Sequence, residues 1–116
     1  MKEFLLVFRN ELTQTEIRPS AEQYQTLAKK WQDWIGSLAA QNKYSASGKR
    51  MSPEGKVVRN NKTVTNGPFV EIKEGIAGYM FIKARDIDEA AELAKDSPII
   101  FMGGNVEVRE IIPDGY

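Results

Sequence analysis

Six residues of this chain have the type and placing to hold or transform a ligand: Arg9, Asn66, Glu71, Lys73, Tyr79 and Arg109. Arg9 ends an apolar run, Phe4 to Phe8, that reads as a central strand, and the end of such a strand opens toward a cleft. Its planar guanidinium presents paired donors suited to a carboxylate or a phosphate. Arg109 stands two residues after Glu107 on an alternating segment, so the two share a strand face. A cross-strand ion pair and an anion clamp are both open to them. Glu71, Lys73 and Glu74 set two carboxylates and an ammonium just ahead of a second apolar run. They form either a solvated surface trio of little energetic weight or a cleft rim where desolvation tunes the charges. Glu71 is the best carboxylate base of the set. Tyr79, within that second apolar run, either turns its hydroxyl into a cavity or packs in a core or dimer contact. Asn66-Gly67-Pro68 joins two residues that accept positive φ to one that fixes it, making a tight strand entry, a pocket lip, or both.

What the chain lacks narrows the chemistry further. It has no His and no Cys in 116 residues, which removes Ser/His and Cys/His dyads, thiolates, disulfides and Cys-built metal sites. Carboxylates, Lys and Tyr must carry any proton transfer. No spacing gathers three carboxylates, so neither metal nor cofactor is expected. Gly103-Gly104 lacks the following Lys and the strand–loop–helix setting of a phosphate loop. Sixteen basic residues balance sixteen acidic ones, which argues against nucleic acid as a partner. That balance is uneven along the chain: residues 41–75 hold seven basic against three acidic residues, and residues 76–116 four against eight. A positive middle segment beside a candidate cleft favours an anionic ligand. The five-residue apolar run at the start is too short for a secretory or membrane segment, so a cytoplasmic protein is expected.

The length suits one domain, residues 1–116. Residues 3–9 read as a strand whose continuous apolar run implies that both faces are covered. Ser20 and Gln23 form a capping box for a helix over 20–40. Its apolar positions from Ala21 to Ala39, with Trp31 and Trp34 among them, form one stripe about 140° wide. Residues 41–68 are punctuated by turn chemistry, with strand-like pieces at 49–52, 56–59 and 63–65, and read as a polar β-hairpin region. A second apolar strand follows at 76–84, then a helix over 87–96 opened by Asp86 and Glu89 and stopped by Ser97-Pro98. An alternating strand at 106–111 ends the series.

The order β, α, β-hairpin region, β, α, β is that of a ferredoxin-like split β-α-β, an α+β fold with both helices on one face of an antiparallel sheet. The outward residues of the two apolar strands would then leave a large apolar patch in water. A second copy packed sheet to sheet removes it, so a homodimer is expected.

Thr65-Asn66-Gly67-Pro68-Phe69-Val70-Glu71-Ile72-Lys73-Glu74, followed by Gly78-Tyr79, resembles the signature of the YCII-related proteins, and within them the DGPF subgroup. Val106-Glu107-Val108-Arg109 with Ile111 is similar to that family's closing strand, and Gly48, Met51 and Pro53 occupy its glycine, apolar and proline positions. The resemblance spans almost the whole chain. It implies a dimeric α/β-barrel assembly of ferredoxin-like subunits. It implies no single activity, since members are largely uncharacterised, a few with lyase- or dehalogenase-like roles and some beside sigma-factor genes. Two departures matter. Asn66 replaces the subgroup's Asp, and an amide is no carboxylate base; the His–Asp pair proposed for other members has no His here. The expectation is a small cytosolic dimer that binds a small anionic molecule between sheet and hairpin, any lyase- or hydrolase-like activity proceeding without His. The alternative is a non-catalytic interaction or regulatory module.

Overall fold

A computed structural model describes residues 1–10, 20–52, 54–67 and 75–113. The strands are β1 (Lys2–Asn10), β2 (Tyr44–Ala46), β3 (Lys56–Val58), β4 (Val64–Asn66), β5 (Gly75–Ala84) and β6 (Asn105–Glu110); the helices are α1 (Ala21–Ala40), α2 (Ile87–Ala94) and α3 (Pro98–Phe101). The main sheet runs β2-β5-β1-β6, all antiparallel, and β3 pairs with β4 in a separate two-stranded sheet. With the hairpin set aside, this is the ferredoxin-like order. The two long apolar strands lie side by side at its centre.

Strand parity decides which side chains are buried. Phe4, Leu6 and Phe8 of β1 and Met80, Ile82 and Ala84 of β5 face the helices and are buried, together with Trp34 and Leu38 of α1 and Ala90 and Ala94 of α2. Phe8, Trp31 and Trp34 meet edge to face, with ring centroids 5.1 to 6.2 Å apart, the arrangement that aromatic quadrupoles favour. The Trp34 indole N–H donates to the Leu93 carbonyl at 3.1 Å and ties α1 to α2.

Both expected caps form, one with a variation. Ser20 and Gln23 exchange their bonds as a full capping box. Asp86 accepts from the Glu89 N–H, but the Glu89 carboxylate reaches back to the Arg85 N–H instead of the cap residue's own.

Three expectations are corrected. The strand-like piece at 49–52 makes only an isolated bridge, Arg50 opposite Gly78, and the paired edge strand is the earlier Tyr44–Ala46. Tyr44 packs on the core from that edge, so a single inward residue was enough. Ser97-Pro98 does not simply stop the second helix, because Pro98 opens the short helix α3, where its missing N–H costs nothing. The stripe on α1 meets the core only over its second half: Tyr24 is 48% exposed, whereas Trp34 and Leu38 are buried. Periodicity says which side of a helix faces inward, and not how far the sheet extends beneath it.

Candidate functional site

The face of the main sheet away from the helices carries the candidate site. Register places Tyr79, Val7 and Glu107 in one row across β5, β1 and β6, and Phe81, Leu5 and Arg109 in the next. Adjacent strands lie about 4.8 Å apart, so each row spans about 10 Å, the length of a small metabolite. Leu5, Val7, Tyr79 and Phe81 are half-buried and form the apolar middle of this face. Tyr79 and Phe81 meet edge to face at 5.9 Å.

Charge gathers along the β6 side. Arg9 donates through Nε and Nη2 to Glu107 Oε1 at 3.3 and 3.0 Å, across a sequence separation of 98 residues. Arg109 Nη1 approaches the other oxygen, Glu107 Oε2, at 3.3 Å. Two guanidinium groups thus share one carboxylate. The Arg9 side chain is 23% exposed and that of Arg109 70%, so Arg9 is the more desolvated donor. The Arg9 hydrogen bond, then that of Arg109, holds the Glu107 carboxyl below its ordinary value of 4.5 against a smaller opposing effect of burial.

A pH dependence follows from that arrangement. A carboxyl whose folded value is depressed adds stability above its unfolded value, and that share is lost as pH falls through the folded value. Glu107 therefore contributes above about pH 4.5 and loses the contribution below it. Thermal melts of the protein and of Glu107→Gln between pH 3 and 7 are expected to differ most at the neutral end and to converge in acid. A constant gap across the range would mean that the ion cluster does not govern it.

The six sequence-derived residues fare differently. Arg9 and Arg109 come together through Glu107, with Tyr79 on the same face beyond Val7. Asn66 lies apart from them at the end of β4, on the hairpin, where its side-chain carbonyl accepts from Lys56 Nζ at 3.0 Å. Glu71 and Lys73 lie outside the described residues. A shallow groove runs along α2 on the helix side, lined by Arg85, Asp88, Glu89, Ala91, Glu92 and Lys95. Among the described residues no cluster of metal-ligating side chains occurs, and no helix is long and apolar enough to cross a membrane. The central role of Glu107 was not evident from spacing. Its shared face with Arg109 was readable from strand parity, but its bond to Arg9 required the β1–β6 register.

Fold and site together define a small α+β protein of ferredoxin-like topology, with helices over one sheet face and an apolar face fringed by paired arginines on the other. The chain belongs to the family of the YCII-related domain, which it matches over residues 4–113. Among curated proteins, none matches it.

Proposed function

We propose that this protein is a cytosolic homodimer of the DGPF type that binds a small anionic molecule at the β6 edge of the sheet face through which it pairs, any turnover relying on Glu71 as base. The observation that carries the reading is the pair of guanidinium groups, Arg9 and Arg109, converging on the one carboxylate of Glu107 beside a half-buried apolar floor. A ligand carboxylate or phosphate facing the guanidinium groups opposite Glu107 would accept charge-assisted bonds from them, with Arg109 the more exposed donor. The apolar floor supports pairing of two sheets, since water is a poor neighbour for Leu5, Val7, Tyr79 and Phe81 together. The run Asn66-Gly67-Pro68-Phe69 supports the DGPF assignment. Asn66 in place of the subgroup's Asp would serve by hydrogen bonding and not as a base.

Thermal stabilisation by inorganic phosphate and by succinate tests the site. Both probes are expected to raise the melting temperature of the unaltered protein, and Arg9→Ala and Glu71→Gln to abolish the rise while the dimer persists. Stabilisation that survives both substitutions would put the pocket elsewhere. Light scattering checks the dimer, and a monomer at micromolar concentration would overturn it.

A further inference from the structure

We infer that the β3–β4 hairpin is an arm that seats on a second copy of this chain, across its acidic segment 86–102. The inference rests on the dimer proposed above and adds to it a contact outside the sheet face. The hairpin is built of two three-residue strands in a sheet of their own. It is closed by the Arg59 N–H to the Thr63 carbonyl at 2.8 Å, and at its root by the Gly67 N–H to the Gly55 carbonyl at 2.8 Å. An isolated two-stranded hairpin is marginal in water. Here the cross-strand pair Val58 and Val64 is 70% and 58% exposed.

Charge names the occupant. Residues 49–66 carry five cations against one carboxylate, and residues 86–102 carry five carboxylates against one cation. The acidic segment supplies most of the groove along α2, whose rim also carries Arg85, and the exposed apolar residues Ile100 and Phe101 of α3, the latter 71% exposed. The two segments thus carry opposite net charge, and Ile100 and Phe101 offer an apolar surface to the valine pair. A second copy brings both in equal number, so two reciprocal contacts form and the dimer's charge remains balanced. Like charges on the wrong segment would repel, which orients the arm.

The test is a charge exchange between two chains. One carries Lys49→Glu, Lys56→Glu and Lys62→Glu, which leaves residues 49–66 with two cations against four carboxylates; the other carries Asp88→Lys, Glu92→Lys and Asp96→Lys, which leaves residues 86–102 with four cations against two carboxylates. In a mixed dimer both arm contacts regain opposite charges, whereas each variant's own homodimer pairs like with like. Sedimentation over a dilution series is expected to show each variant dimerising at least about tenfold more weakly than the unaltered chain. The equimolar mixture is expected to recover the original affinity, and that recovery shows both variants to be folded. Arm-reversed homodimers as tight as the unaltered ones would overturn the arm and leave the sheet-face dimer standing. Weakened variants that mixing does not rescue would also overturn it, as would loss, in the arm-reversed chain, of binding to a labelled single-stranded oligonucleotide with dimerisation unchanged. An unaltered chain that sediments as a monomer at 10 μM would overturn the dimer and the arm together.

Discussion

Gly48→Ala is expected to cost about 3 kcal/mol of stability. A Cβ at position 48 would lie 1.7 Å from the Tyr79 carbonyl oxygen, 2.5 Å from its carbon and 2.6 Å from the ring atom Cδ2. Two of those three atoms are backbone at the centre of the sheet and have no rotamer in which to retreat. The segment after Gly48 must therefore move away from β5. It is held there by the Tyr79 N–H to the Lys49 carbonyl at 3.2 Å and the Met51 N–H to the Ala77 carbonyl at 2.8 Å. Two hydrogen bonds at about 1 kcal/mol each, with about 1 kcal/mol of residual strain, make up the expected loss. Urea unfolding measures it, and a cost under about 1 kcal/mol would mean that the segment has room to shift. Gly78→Ala is the graded companion, since its Cβ would meet the Lys49 carbonyl oxygen at a milder 2.9 Å. Because the clash is with Tyr79, Gly48→Ala should also disturb the open face, and anion-induced stabilisation should fall with it.

Trp34→Ala is expected to cost about 3–5 kcal/mol, the range for truncating a buried aromatic side chain. Trp34 is 7% exposed and sits between Phe8 of β1 and Leu93 of α2. Trp34→Phe separates the two contributions. It keeps an aromatic ring near Phe8 and Trp31 but removes the N–H that satisfies the Leu93 carbonyl, an expected loss of about 1–2 kcal/mol. Chemical denaturation of both variants gives the partition. If Trp34→Phe proved as damaging as Trp34→Ala, the hydrogen bond and indole shape, not ring packing, would be joining α1 to α2.

Much of this architecture was legible because its signals are local. A capping box spans four residues, an amphipathic stripe repeats every three or four, and strand parity every two, so Ser20, Trp34 and the alternation of Val106 to Arg109 announced themselves. Where the signal was short, reading failed. The edge strand Tyr44–Ala46 has three residues, too few for a periodicity, and one inward tyrosine carries its packing. The more polar piece at 49–52 drew the strand assignment instead because turn residues bracket it. The candidate site was legible as residue types but not as a set. Arg9 and Arg109 were both singled out and Glu107 shares a strand face with Arg109, yet nothing near Arg9 in sequence indicated that Glu107 would join it.

The sequence by itself determined the element order, the all-carboxylate, Lys and Tyr repertoire left by the absence of His and Cys, and the split of charge between a basic middle and an acidic C-terminal third. These depend on residue identity and short-range spacing alone. Only the tertiary structure decided that β1 lies between β5 and β6, that Arg9, Glu107 and Arg109 gather on one face, and that Asn66 stands away from them on a projecting hairpin. Register is set by the joint burial of Phe4, Leu6, Phe8, Met80 and Ile82 against the helices. That burial is a property of the assembled core, and one residue of slip in any strand would turn its charged side chains to the opposite face.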